Sequence, residues 1–155
     1  MATLSFIKKL FRLKGLKVTG IEFKTRKSKL FLWVKPYKNG CRCPECGRRG
    51  EIVNHLKDLR HWDDIVVAGW KIILCYRPKE IFCPTHGRQQ EEIPWAAPKA
   101  QCSYRFEFVM LIYSKIMTQK AASELLKTSS STFSDRLHRT INRLREGHRI
   151  RGLKT

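Results

Sequence analysis

The chain has 155 residues, 42% of them hydrophobic, and sets 32 Lys and Arg against 13 Asp and Glu for a formal charge of +19. That length gives one ordinary domain or two small ones, and no apolar run approaches the roughly 20 residues a membrane helix needs. A positive surplus of this size favours a polyanionic partner over a surface kept basic for solubility or for anionic lipid, because each Lys or Arg that neutralises a phosphate releases a counterion. The charge sits at the two ends: residues 1–50 hold 14 basic and 2 acidic side chains, residues 51–100 hold 7 and 7, and residues 101–155 hold 11 and 4.

The N-terminal stretch MATLSFIKKLFRLKG mixes lysines into its apolar residues and is followed by no small-residue cleavage site, so it does not read as a signal peptide. The expected location is the cytoplasm, in association with the nucleoid. Six cysteines in that compartment are metal ligands or free thiols rather than disulfides. Residues 16–23 and 29–35 alternate as two strands joined through residues 24–28 as a hairpin. Its tip carries Lys24, Arg26, Lys27 and Lys29, suited to anchoring phosphates without reading sequence. Pro36, Asn39 and Gly40 break the pattern just before the first cysteines. Residues 51–56 form a weak strand and residues 66–77 a longer one. The segment LKDLRHWDD between them reads as a loop, with Asp63 and Asp64 as turn formers or partners of Arg60.

Cys43-Pro44-Glu45-Cys46-Gly47 and Cys83-Pro84-Thr85-His86-Gly87 share one format, ligand-Pro-any-ligand-Gly. Proline stiffens such a turn, and glycine permits the backbone conformation after the second ligand. Cys43, Cys46, Cys83 and His86 then compose a closed Cys3His set, the usual donor set of structural zinc, one ion per chain. Cys41 offers an alternative thiol to Cys43. Cys75 and Cys102 have no metal-like partners nearby and are expected in the core; His55 and His61 are expected at the surface. A closed site leaves no position for a reactive water. The His-Xaa-Glu that a nucleic-acid deaminase requires is absent.

IPWAAPK, residues 93–99, stops regular structure with two prolines, and the hydrophobic period then changes from two to about 3.6. Phe106, Val109, Met110, Tyr113, Ile116 and Met117 share one face of a first helix. Thr118 caps a second, with Ala121, Ala122, Leu125 and Leu126 facing inward. Ser129 caps a third, with Phe133, Leu137, Ile141 and Leu144 on its inner face and Gly147 at its end. Three helices with one very short connection make a helix-turn-helix, whose last helix enters the major groove with its N-terminal residues. Those are Ser130, Ser131, Thr132, Asp135 and Arg136, then Arg139 and Arg143. Arg136 is the candidate for forking onto a guanine, whereas Arg139, Arg143, Arg145 and the tail arginines Arg149 and Arg151 suit phosphates.

Taken together, the CPxCG knuckle, the basic strands, FCPTHG, PWA and the Ser/Thr-rich helical turn resemble the N-terminal half of bacterial insertion-sequence transposases of the ISL-three type. The resemblance covers about residues 16–146. It implies a zinc-binding domain on Cys43, Cys46, Cys83 and His86, DNA-binding helices over residues 118–143, and, in the family, a following DDE catalytic domain of RNase H-like fold. Lys127 and Thr128 depart from it, standing where a glycine and a small aliphatic residue are common. The chain stops at Thr155, before any catalytic domain, and its four aspartates (Asp58, Asp63, Asp64 and Asp135) do not supply the carboxylates of a two-metal nuclease.

The expectation is therefore an α+β protein without enzymatic activity of its own: a zinc-ribbon-like β domain with a basic hairpin over residues 1–93, a Pro-containing linker over 94–99, a helix-turn-helix domain over 100–147 and a basic tail over 148–155. Its partner is double-stranded DNA at transposon end repeats, with no membrane and no small-molecule substrate, and a homodimer is left open. A free-standing transcription regulator using the same helices is the alternative, and an RNA- or ribosome-associated zinc protein a more remote one.

Overall fold

The computed structural model describes residues 16–36 and 41–147, together with Phe6, Ile7, Lys9, Phe11 and Leu13. Residues 39 and 40 and the basic tail 148–155 lie outside the described residues. The architecture is α+β: among the described residues from Leu16 onward, seven strands precede three helices.

The hairpin at the start forms as its alternation dictates. Strands β1 (Leu16–Lys24) and β2 (Lys29–Pro36) pair antiparallel, with Lys24 opposite Lys29 and a 3-10 turn at Thr25–Lys27 between them. The stretch read as a loop followed by one long strand is instead a second hairpin. β4 (Arg60–Val67) and β5 (Trp70–Tyr76) are joined by Ala68 and Gly69, both at positive φ, the backbone form that a tight two-residue hairpin turn demands. The sequence misleads here because β4 carries polar residues at Asp63 and Asp64, which tertiary partners satisfy. β5 runs parallel to β2, so the sheet order is β1-β2-β5-β4. One face of this sheet holds Leu30, Leu32, Val34, Trp62, Ile72, Leu74 and Tyr76 as the main core. The Pro-containing segment is built into that core, where the Trp95 ring meets Trp62 and Tyr76 edge-on at 5.5 Å each.

A second sheet, β3-β6-β7 (Glu51–His55, Lys79–Cys83 and Gly87–Gln90), follows the first knuckle. Every residue of β3 is exposed, and the buried cluster beneath consists of Cys41, Cys43, Ile81 and Cys83. A sheet with one buried aliphatic side chain cannot hold itself together by apolar burial, which is worth about 2 kcal/mol for such a residue.

The helices α1 (Tyr104–Ile116), α2 (Gln119–Leu125) and α3 (Ser130–Arg145) pack around Phe106, Met110, Ala122, Leu126 and Phe133. Ser103, Thr118 and Ser129 cap them, each hydroxyl accepting from the backbone N–H three residues on. Two inward assignments fail: Ile116 and Leu125 are exposed. Ile116 falls on the row of Phe108 and Ile112, four residues apart along α1, and Leu126 rather than Leu125 fills the core.

Helix α1 starts off the edge of the first sheet. Cys102 bridges alongside Asp63, whose N–H donates to the Gln101 carbonyl while its own carbonyl accepts from Ser103. Beneath that junction Asp64 is fully buried, accepting from the Ser103 hydroxyl at 2.6 Å and from Arg105 Nε at 2.8 Å.

Candidate metal centre and basic surface

Each knuckle turns back on itself through the same bonds that set its spacing. In the first, the Cys43 N–H donates to the Arg48 carbonyl at 2.8 Å and the Gly47 N–H to the Cys43 carbonyl at 2.9 Å, with Gly47 at φ 70°. In the second, Cys83 and Gly87 are opposite ends of the β6–β7 hairpin, and Gly87 also has φ 70°. Gly50 brings the first knuckle onto β6: a Cβ there would lie 2.9 Å from both the Ile81 side chain and the Phe82 carbonyl oxygen. This contact sets the two turns face to face.

The donor atoms of Cys43, Cys46, Cys83 and His86 consequently lie within 4.8 Å of one another. His86 Nδ1 is 3.6 Å from Cys43 Sγ and 3.7 Å from Cys83 Sγ, and Cys46 Sγ is 3.6 Å from Cys83 Sγ. A tetrahedron with metal–sulfur bonds of about 2.3 Å has edges of about 3.7 Å, so the four donors fit a single ion. The Cys83 thiol is pushed down to about 6 by the His86 ring and by the backbone N–H groups of Thr85 and His86, which favour the thiolate a metal needs. Cys41 is buried next to this set but is not one of its converging donors. Burial pushes Cys75 and Cys102 up to about 12, as befits inert core thiols. His55 and His61 are both exposed, and neither belongs to the cluster.

On the helical side, Lys127 makes the turn with φ 50°, the left-handed form that glycine adopts freely, so the departure from a turn glycine does not blunt the turn. Ser130 is tied into that turn: its hydroxyl lies 3.1 Å from Ser123 Oγ and its carbonyl accepts from Gln119. Ser131 and Thr132 cluster about the capping Ser129 hydroxyl. Asp135 and Arg139 face solvent, and so do His138 and Asn142, which the sequence reading passed over. Their signal was available: positions 131, 135, 138 and 142 make one polar row opposite the apolar row of α3.

Arg136 and Arg143 take a different place from the one their sequence suggests. Arg136 Nη1 donates to Asp63 Oδ2 at 2.7 Å, its guanidinium lies 5.5 Å from the centre of the Phe106 ring, and its side chain is 14% exposed. Arg143 Nη1 donates to the buried Glu107 at 3.0 Å. Both arginines are directed inward, because unpaired buried carboxylates would be costly. Asp63 also receives Lys71 Nζ at 2.8 Å. Asp63 and Asp64 are thus neither turn formers nor partners of Arg60, which reaches Gln90 and the Ala100 carbonyl instead. Burial would raise the Asp63 carboxyl, but bonds and charge from Lys71 and Arg136 outweigh it and hold it below its ordinary value. The hairpin cations Lys24, Arg26 and Lys27 are exposed at the end of the first sheet.

Two curated relatives are similar to part of this chain. Both are transposases for insertion sequence element IS1557, from Mycobacterium tuberculosis strains CDC 1551 / Oshkosh and ATCC 25618 / H37Rv, and each is 26% identical to this chain over 91 residues. The likeness is to transposases. The match takes in 59% of this chain and 20% of each relative, so the chain spans about a fifth of the length of the relatives it matches. No family model matches, and no solved structure matches. The likeness supports a transposase-related protein.

Among the described residues no helix is long and apolar enough to cross a membrane.

Proposed function

We propose that this chain is a DNA-binding module of a transposase-like protein of the ISL-three type, that it recognises transposon end repeats in double-stranded DNA, and that its second sheet depends on one structural zinc. The observation that carries the reading is α3. It buries Phe133 and Thr140 while turning Ser131, Asp135, His138, Arg139 and Asn142 to solvent at the end of a sharp turn. A helix so presented reads base edges with its exposed N-terminal half. Arg139 takes the role of a guanine or phosphate contact, and Arg136 and Arg143 hold the helix in place. The formal charge of +19 supplies the phosphate contribution, and the likeness to transposases supports the biological setting.

Zinc is the ion of choice for three thiolates and an imidazole. Held by Cys43, Cys46, Cys83 and His86, it supplies crosslinking rather than chemistry, since four protein donors leave no place for water. Catalysis of strand transfer is assigned elsewhere than to these residues, and the protein to the cytoplasm, at the nucleoid.

Binding of the purified chain to random-sequence and selected duplexes over a salt series tests the reading. With roughly six to ten phosphates neutralised, affinity falls about 10³- to 10⁵-fold between 50 and 200 mM salt. A flat salt response removes the DNA assignment, and equal preference for structured RNA transfers it to RNA.

A further inference from the structure

Lys71 links two parts of the chain that lie far apart in sequence. It is buried at the start of β5, beside Lys29 of β2. Its N–H donates to the Ser28 carbonyl at 2.9 Å, at the tip of the basic hairpin. Its Nζ donates to the Lys127 carbonyl at 3.0 Å, in the turn between α2 and α3, and pairs with Asp63, which in turn holds Arg136 of α3. One lysine therefore fixes the tip of the hairpin against the turn that precedes α3.

The same end of the molecule gathers Lys24, Arg26, Lys27 and Lys127, all exposed. No acidic side chain other than Glu22, which pairs with Lys24 at 3.6 Å, accompanies the hairpin cations on their strands. A duplex that admits α3 into its major groove presents a wall of phosphates on either side of it.

We infer that the hairpin tip at residues 24–28 and the α2–α3 turn form one bipartite surface for a single DNA duplex, with α3 in the major groove, the hairpin on the phosphates flanking that groove, and Lys71 as the positioning residue that fixes their spacing. The inference rests on the DNA-binding reading above and adds to it which backbone segment is gripped and what holds the grip in register. The cost of desolvating the Lys71 ammonium is offset by two partners, the Lys127 carbonyl and Asp63, whereas a hydrophobic residue would keep the backbone bond to Ser28 but lose the tie to the α2–α3 turn.

The test uses the full chain and a duplex it selects from a random pool, with salt-dependent binding and hydroxyl-radical footprinting as readouts. Lys24→Ala, Arg26→Ala and Lys27→Ala together lower the slope of log K against log salt by about 2 to 3. They also erase backbone protection on one side of the base-read segment, while base preference stays. Lys71→Met, checked for folding by circular dichroism, keeps all three hairpin cations yet loses the same flanking protection, and Lys71→Arg restores it. Unchanged slope and footprint in the triple hairpin variant overturn the bipartite surface, even where α3 binds. Unchanged flanking protection in a folded Lys71→Met chain overturns the positioning role. Failure of the wild-type chain to bind any duplex instead sinks the DNA reading itself, and this inference with it.

Discussion

Lys127 shows most plainly how a single residue is governed by its surroundings. Its φ of 50° carries a strain of about 1 kcal/mol for a residue with a Cβ, and the lysine tolerates it because its carbonyl is needed by Lys71 and its N–H donates to the Glu124 carbonyl. Lys127→Gly removes the strain but loosens the unfolded chain, so the net effect is a gain of at most about 1 kcal/mol. Lys127→Ile, branched at Cβ, loses about 1 to 2 kcal/mol. Urea denaturation of the two variants measures this difference, and equal stabilities would mean that the turn does not hold the left-handed conformation. The residues of the metal centre were legible because their spacing is local: each knuckle is set within five residues. Arg136 was not. Nothing near it in sequence reveals Asp63, a partner 73 positions away.

At the scale of elements, β4 and α3 are fastened by charge rather than by apolar packing alone. Asp63 of β4 holds Lys71 and Arg136 together, and removing the carboxylate leaves two cations with little solvent around them. Asp63→Ala should therefore destabilise by about 3 kcal/mol, more than Arg136→Ala, since the latter leaves Asp63 its lysine. The pH dependence has a definite sign. The folded carboxyl lies below its ordinary 3.8, so its contribution is complete above that value and is lost as pH falls through the lower, folded one. Thermal melts below pH 4 should steepen in the wild type and flatten in Asp63→Ala; parallel acid profiles would show that this network contributes nothing. The first hairpin and the helices were largely readable from periodicity and caps, whereas the β4–β5 and β6–β7 hairpins were not. β4 escaped because its Asp63 and Asp64 imitate a turn.

The molecule as a whole divides its stability unevenly. The first sheet and the helices have apolar cores of their own, whereas β3-β6-β7 has Ile81 and thiols. Metal binding should accordingly be coupled to folding of the second sheet alone. Protein purified without added zinc should contain about one equivalent. Chelation, Cys46→Ser or Cys83→Ser should release the ion and expose the amides of β3, β6 and β7 to hydrogen exchange while the helical circular dichroism persists. Cys102→Ser, placed in the helical core, should keep the metal. Retention of slow exchange in the second sheet after complete chelation would dismiss the structural role.

The sequence by itself determined the α+β class, the first hairpin, the caps and the two knuckles of matching format, because each depends on neighbours a few residues apart: alternation, 3.6-residue periodicity and Pro-Gly turns act locally. Only the tertiary structure decided that LKDLRHWDD contributes a strand, that the two knuckles meet, that Cys41 stands aside, and that Arg136 and Arg143 turn inward. The knuckles and the two arginines depend on pairings across 36 to 73 residues of chain, and the strand in LKDLRHWDD, although it pairs with a near neighbour, needs distant partners for its aspartates. A buried carboxylate draws whatever cation the fold brings near, and periodicity cannot say which one that is.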